Sequence, residues 1–347
     1  MKSKVCIACV IFAIIFCFTG CKSKDYKSAV TLQEAGDYAA ALEIYTTLGS
    51  YKDSTERASQ CSNAISYQNA VELQSSGSYT EALEIYNAIK GYRDADERIV
   101  YCESMIAAID AYNAAAQSLS VKNDALNSAI STAEDLIISG DPALDPDLVP
   151  SLETAITNAQ EALSALIDMP EDADAILAAA ADMEAVDYTQ VSDAIASAQA
   201  ALEQSIAQYA LVNAPAEDYI VDCLSQVPGV IAVAAATEET DTNNLIGKAG
   251  SYYARIVFSH ELVGKSTAQG ASLVSNGTDC GGSIEVFNTV EDAEKRNTYL
   301  GAFDGTIFDS GSHTVIGTVL IRTSSKLKAS QQQELEAAII ESLTRLP

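Results

Sequence analysis

Two histidines, His260 and His313, and a cysteine in the stretch Gly277-Thr278-Asp279-Cys280-Gly281-Gly282 are the side chains best suited to nucleophilic or proton-transfer chemistry. A thiol activated by an imidazole needs the two groups within hydrogen-bond reach and a third group to orient the base. Nothing in the sequence brings Cys280 to His313, and no orienting group is evident, so the glycines read first as turn residues beside a strand. Metal chemistry commonly uses clustered His and Cys, and no such spacing occurs. Glu238, Glu239, Asp241 and Asn243 gather the hard oxygens that suit calcium, without the glycine-bounded twelve-residue order of an EF-hand. Weak calcium binding is the most that this loop suggests. No G-x-x-x-x-G-K-[ST] phosphate loop is present, and with 48 Asp and Glu no glycosidase pair can be nominated. The sequence names no catalytic residue, no cofactor and no metal ligand.

Cys21 is placed for a different covalent chemistry. Lys2 and Lys4 precede an uncharged, mostly apolar run from Val5 to Phe18, and the small residues Thr19 and Gly20 come just before the thiol. The run is shorter than the roughly 20 residues of a membrane-spanning helix and has the length of a secretory signal core. Phe18-Thr19-Gly20-Cys21 resembles the lipobox of a bacterial lipoprotein, of the Gram-positive kind, with Phe18 where Leu is usual. The resemblance implies a diacylglyceryl group on Cys21, removal of residues 1–20, and a place on the extracytoplasmic face of the cell membrane. An uncleaved anchor helix or an ordinary secretory signal would also put the protein outside the cytoplasm. Each buried lipid methylene contributes about 0.8 kcal/mol, and two chains hold where one does not. Lys22, Lys24 and Lys27 follow at headgroup level, where each basic residue adds about 1 kcal/mol near an anionic surface.

Charge excludes one class of partner. Without residues 1–20 the chain carries 18 Lys and Arg against 48 Asp and Glu, a net of −30. From Asn123 to Gly247 there are 23 acids and no Lys or Arg. Nucleic-acid binding needs a basic footprint, so that class is set aside. The acidic surface reads first as a solvated, solubilising one, and second as a match for a cationic partner. Four cysteines remain beyond Cys21, too few for a disulfide-built scaffold. Cys61 and Cys102 occupy equivalent repeat positions, which suggests packing; Cys223 and Cys280 are a candidate pair.

The elements around these residues begin with an internal repeat. Tyr26–Cys61 aligns with Tyr67–Cys102 at an offset of 41, with 17 of 36 positions identical. Gly36 matches Gly77, Tyr38 matches Tyr79, and Ala41-Leu42-Glu43-Ile44-Tyr45 matches Ala82-Leu83-Glu84-Ile85-Tyr86. Tyr51, Asp53 and Arg57 match Tyr92, Asp94 and Arg98. The pattern A-V-x-L-Q-x-x-G-x-Y-x-x-A-L-x-x-Y resembles a tetratricopeptide repeat (TPR), which implies helical hairpins and a role in protein or peptide binding. The period is 41 rather than 34, so one helix is extended, expected over Asp53–Ser75. The matched Tyr, Asp and Arg positions are expected to pack one repeat on the next.

Helical stripes follow. Ile106, Ile109, Tyr112, Ala116 and Leu119 step by threes and fours, as do Leu126, Ile130, Ala133 and Ile137 up to Gly140-Asp141-Pro142. A second stripe runs from Val149 through Leu152, Ile156, Ala159 and Leu163 to Leu166, stopped by Met169-Pro170. A third runs from Val191 to Tyr209 and closes at Asn213-Ala214-Pro215. Narrow Ala-rich stripes suit an antiparallel bundle or coiled coil, read as an acidic stalk. Beyond Ala216 the pattern mixes. Helices are expected over Glu217–Val227, Val290–Leu300 with Thr289 as N-cap, and Gln331–Leu346 capped by Ser330. Strands are expected over Val230–Ala236, Tyr252–Phe258, Ser283–Phe287 and His313–Arg322. The expected fold is multidomain: an all-α N-terminal part (TPR-like hairpins, then a helical bundle or coiled-coil stalk), followed by an α+β domain with helices on one sheet face. The boundaries are a signal peptide at 1–20, repeats at 21–103, the acidic helical region at 104–213 and the α+β domain at 214–347.

The functional expectation is a non-enzymatic, lipid-anchored cell-surface protein with an interaction or scaffold role, presenting its C-terminal domain to a protein or peptide partner. The alternatives are an envelope enzyme with its site in that domain, and a solute-binding lipoprotein. The helical first 200 residues argue against the two α/β lobes that the latter fold needs.

Overall fold

A computed structural model describes residues 22–263, 269–307 and 311–347. Cys21 and the signal stretch lie outside the described residues. The chain is mostly helical and ends in an antiparallel sheet with helices of its own, so an all-α N-terminal part precedes an α+β domain. Among the described residues no helix is long and apolar enough to cross a membrane. The chain divides into two units, one of residues up to Asn123 with Ser164–Val186, the other of Asp124–Leu163 with Asp187–Pro347.

The first unit holds the repeat. Its helices are α1 (22–34), α2 (Tyr38–Leu48), α3 (Ser54–Ser75), α4 (Tyr79–Ala88) and the first part of α5 (Ala95–Ser139). Gly36 and Gly77 sit at φ +86° and +82°, the left-handed region that ends α1 and α3 cheaply only with glycine. The 41-residue offset reappears in the packing. Ala41, Tyr45, Leu48 and Cys61 form one buried cluster with Ala29, and their counterparts Ala82, Tyr86, Ile89 and Cys102 form another with Ala70. α3 serves both copies: its first half closes the first repeat and its second half opens the next, which accounts for the long period. α7 (Ala173–Glu184) also belongs to this unit and packs Ile176, Ala180 and Met183 on Met105, Ala108, Ala115 and Leu119 of α5.

Two features of the helical region differ from the sequence expectation. The second stripe ends early: α6 is Leu148–Ala162, and Leu166 is exposed. Beyond Ala162 the carbonyls are held from outside the helix. Asn123 Nδ2 donates to Ser164 O (3.0 Å) and the Tyr112 hydroxyl to Ile167 O. The chain therefore leaves the helix well before Pro170. α7 carries few large apolar residues in its sequence, Ala-Asp-Ala-Ile-Leu-Ala-Ala-Ala-Ala-Asp-Met-Glu, and its stripe was not visible. Asp172 caps it by accepting from Ala175 N, and Lys122 Nζ donates to the Glu184 and Val186 carbonyls at its other end.

In the second unit α6 packs on α8 (Thr189–Val212), and Gln160 of α6 donates to Glu134 of α5. After α8 come α9 (Glu217–Ser225), β1 (Val230–Ala235), β2 (Ala254–His260), α10 (Gly270–Asn276), a 3₁₀ turn (Gly277–Cys280), β3 (Gly281–Val286), α11 (Val290–Gly301), β4 (His313–Ile316), β5 (Val319–Thr323) and α12 (Ala329–Leu343). The strands form one antiparallel sheet in the order β1-β2-β3-β5-β4. The segment His313–Arg322, expected as one strand, is a hairpin. Gly317 at φ +56° and Thr318 make its two-residue turn, glycine standing first as a type II′ turn requires. The turn docks on the end of α8: Thr318 N–H donates to Val212 O at 2.9 Å, and a Cβ on Gly317 would fall 2.5 Å from that oxygen.

The sheet is covered on both faces, not one. Ala254, Ile256, Phe258, Ile284, Val286, Val319 and Ile321 share the face that packs on α9 and α12, through Ile220, Leu224, Leu335, Ile339 and Leu343. The opposite face meets α11 through Phe287, Leu320, Ala293 and Leu300, and α10 through Val257 and Leu273. Burial on two sides explains why β2, β3 and β5 are buried throughout and read weakly as alternating strands.

Candidate functional site

Three groups of polar side chains are positioned by this framework. The first lies on the α10–α11 face of the sheet, where alternation puts Arg255, Glu285 and Arg322 inward. Glu285 is fully buried. Its Oε1 accepts from Arg322 Nη1 at 2.8 Å, and its Oε2 accepts from Arg296 Nε of α11 at 2.9 Å. Burial pushes its carboxyl up, and the Arg322 and Arg296 guanidiniums more than offset this, leaving it below the usual carboxylate range. Arg255 stands opposite Glu285 in register and reaches the other way, donating to Asp241 Oδ1 (3.2 Å) and Thr242 Oγ1 (3.1 Å). Ser259 Oγ, Ser283 Oγ and Arg255 Nε are buried on this face without a hydrogen-bond partner among the described residues.

Asp241 explains the acidic loop. Its carboxylate accepts from the backbone N–H groups of Asn243, Leu245 and Ile246 and from the Tyr252 hydroxyl. Burial raises its carboxyl and these donors outweigh that, for a net lowering. The oxygens nominated for calcium are thus occupied at Asp241 by protein donors, while Glu239 accepts from Thr237. Among the described residues no group of three or more His, Cys, Asp or Glu is arranged to hold a metal ion.

The second group lines a cleft of about 450 Å³ beside β4, formed by Asp304, Gly311, Ser312, His313, Ser325, Leu327 and Gln332. Both ring nitrogens of His313 face oxygens, Nδ1 at 2.6 Å from Asn297 Oδ1 and Nε2 at 3.2 Å from Asp304 Oδ1. Ser312 Oγ donates to Glu336 Oε2 and lies 2.7 Å from Thr323 Oγ1. Cys280 is elsewhere, fully buried against Val257 and Leu273 on the β2 side, while His313 sits on the edge strand three positions across the sheet. The imagined Cys280–His313 pair is therefore not assembled. His260 is buried at the end of β2, its ring against Gly229, where a Cβ would fall 2.4 Å from Nε2. Cys223 lies on α9 under the opposite sheet face from Cys280, and all four described cysteines are buried, with no disulfide among the described residues.

The third group is duplicated. Tyr26 Oη donates to Asp53 Oδ1 (2.6 Å), Arg57 Nε to Asp53 Oδ2 (2.9 Å), and Arg57 Nη1 and Tyr45 Oη to Gln33 Oε1 (3.1 and 3.0 Å). Tyr67, Asp94, Arg98, Gln74 and Tyr86 repeat every bond 41 residues later. The Tyr26–Tyr45 and Tyr67–Tyr86 rings stand edge to face at the same 6.1 Å and 66°. These bonds close within each copy, not between copies as expected. The glutamines were the members sequence reading missed, although Gln33 and Gln74 match at the same offset. Comparison of the chain with protein families, curated proteins and solved structures finds no match.

Proposed function

We propose that this chain is a lipid-anchored protein of the extracytoplasmic face of a bacterial cell membrane, and that it binds a protein or peptide partner without catalysing a reaction. The anchor rests on the charged start, the short apolar run and the Phe18-Thr19-Gly20-Cys21 lipobox. The observation that carries the binding role is the helical repeat, whose buried clusters recur 41 residues apart, and the reactive groups considered above are not brought together. Cys280 and Cys223 are packed among aliphatic side chains on opposite sheet faces, and His313 has an oxygen against each ring nitrogen. Burial pushes the Cys223 thiol up, away from the thiolate that nucleophilic chemistry needs. The two repeats, with their resemblance to TPR hairpins, act as a docking or spacing element, and the α+β domain is presented to the partner.

The test uses the whole lipid-bearing protein in living cells. Photo-crosslinkers placed at exposed positions of the α+β domain, such as Ile307 and Leu262, are expected to trap one recurring protein of the envelope. Crosslinking only to random neighbours would contradict the interaction role.

One observation favours a second reading, an envelope enzyme: the polar cleft at Asp304, Ser312, His313 and Gln332. An activity abolished by His313→Ala with the fold intact would establish it.

A further inference from the structure

The anchor proposed above would join the body of the protein without a tether. α1 is helical from residue 22, directly after Cys21. A helix rises about 1.5 Å per residue, so Lys22, Lys24 and Lys27 lie within about 8 Å of its start. The chain then comes back to the same place. α2 runs antiparallel to α1, and the turn that follows it meets the beginning of α1. Lys52 Nζ stands 4.3 Å from the centroid of the Tyr26 ring, and the Tyr26 and Tyr51 rings meet edge to face at 6.1 Å. Tyr26 Oη donates to Asp53. The turn 49–53 thus shares one edge of the first repeat with the residues that follow Cys21.

That edge is basic. Across 22–27 and 49–57 it carries Lys22, Lys24, Lys27, Lys52 and Arg57 against Asp25, Asp53 and Glu56. Asp53 is already held by Arg57 and Tyr26. Lys24, Lys27 and Lys52 are exposed. A positive balance stands out in a chain whose net charge without residues 1–20 is −30.

The second repeat supplies an internal comparison, because it packs in the same way. The counterparts of the three α1 lysines there are Asn63, Ile65 and Gln68. The counterpart of the turn, 90–98, balances Lys90, Arg93 and Arg98 against Asp94, Asp96 and Glu97. Arg93 covers Tyr67 as Lys52 covers Tyr26, so a cation at that position belongs to the repeat itself. The lysines of α1 do not. The same hairpin is built without them 41 residues later, and they stand only where the chain leaves Cys21.

We propose that this edge of the first repeat rests on the anionic lipid headgroups of the membrane that holds Cys21, with Lys24, Lys27, Lys52 and Tyr51 against the surface. The inference depends on the anchor reading and adds an orientation to it. Each basic residue near an anionic surface contributes about 1 kcal/mol, and the attraction decays over about 8 Å. Tyrosine rings favour the same layer. A lipid surface is selected over an acidic protein because α1 starts at residue 22, which leaves no slack to carry the edge beyond headgroup reach. The matching edge of the second repeat stands too far off. α3 starts at the basic edge with Ser54 and reaches Tyr67, the counterpart of Tyr26, about 20 Å farther along its axis.

The chain has no tryptophan, so Tyr51→Trp and Tyr92→Trp each install a single fluorophore at matched positions. Each lipid-bearing variant is checked for its Cys21 mass and its helical circular dichroism. It is then reconstituted in phosphatidylcholine vesicles with about 30% phosphatidylglycerol or with none, containing a lipid with a nitroxide on its headgroup as quencher. In the anionic vesicles the Tyr51→Trp fluorophore is expected to be quenched at least about threefold more strongly than the Tyr92→Trp one. Adding Lys24→Gln, Lys27→Gln and Lys52→Gln, or about 0.5 M sodium chloride, is expected to lower the quenching at position 51 at least about twofold, to its level in phosphatidylcholine alone. Equal quenching at the two positions, quenching at neither, or quenching at position 51 that ignores both the anionic lipid and the lysines overturns the docking and leaves the anchor standing. A protein whose Cys21 bears no lipid overturns the anchor, and the docking with it.

Discussion

Arg322 on β5 reaches diagonally across the sheet to Glu285 on β3, Nη1 to Oε1 at 2.8 Å, with both side chains under one tenth exposed. Arg296 completes the carboxylate from α11. The pair fastens a helix to the sheet at a place where aliphatic packing would serve equally well energetically. It fixes which face α11 covers.

Removing the carboxylate charge leaves two guanidiniums facing each other in a dry site. Glu285→Gln is expected to cost about 3–5 kcal/mol, because an uncompensated buried charge is the expensive outcome. Urea unfolding followed through the signal of the α+β domain measures this. A cost under about 1 kcal/mol would mean the network is wetter than its burial implies.

The same residue sets an acid dependence. Its folded carboxyl lies below the ordinary range, so the stabilisation is present above the unfolded value of about 4.3 and is lost as pH falls through the folded value. Asp241 acts with the same sign. Stability measured from neutral pH downward should fall below about pH 4, and the Glu285→Gln variant should show a shallower fall.

Much of this was legible in the sequence, and the parts that were not share a cause. The repeat at offset 41 fixed both buried clusters, because identical residues at matched positions fold to matched contacts. Thr289 was readable as a cap and does accept from Asp292 N. α7 and the end of α6 were not readable: alanine gives too little amplitude to mark a stripe, and the carbonyls of Ser164 and Ile167 are claimed by Asn123 and Tyr112 more than 40 residues away in sequence. The β4–β5 turn hid in a β-branched run whose only signal was Gly317. Arg255, Glu285 and Arg322 gave no sign of forming a network, since pairing across strands depends on register, which sequence does not state.

Duplication makes a quantitative forecast. Tyr45→Phe and Tyr86→Phe each remove one hydroxyl donor to a glutamine that keeps its arginine, and each is expected to cost about 1 kcal/mol. The two values should agree within about 0.5 kcal/mol. Thermal unfolding of the two variants checks this, and a large difference would show that the copies bear unequal loads.

Gly282 is held by contact, not by backbone angle. A Cβ there would fall 2.3 Å from Arg322 O and 2.4 Å from Phe258 Cζ. Gly282→Ala is expected to destabilise by about 1–3 kcal/mol through strand displacement, whereas Gly305→Ala meets no atom of the described residues within 4 Å and should cost only what its φ of +69° imposes. Denaturant midpoints of the two variants give the comparison.

The cysteines offer a chemical check on the fold. Cys223 and Cys280 sit under opposite faces of the sheet, so no bridge joins them. Alkylation without reductant should modify Cys61, Cys102, Cys223 and Cys280 only after denaturant is added. A mass two hydrogens low, with two thiols unreactive in denaturant, would contradict the sheet assignment.

The anchor is the premise on which location and partner class both depend. Mass spectrometry of the protein isolated from its own membranes should find a chain that begins at Cys21, with a diacylglyceryl mass on the thiol and residues 1–20 gone. A product that retains Met1, with Cys21 unmodified and the protein recovered from the cytosol, would contradict it.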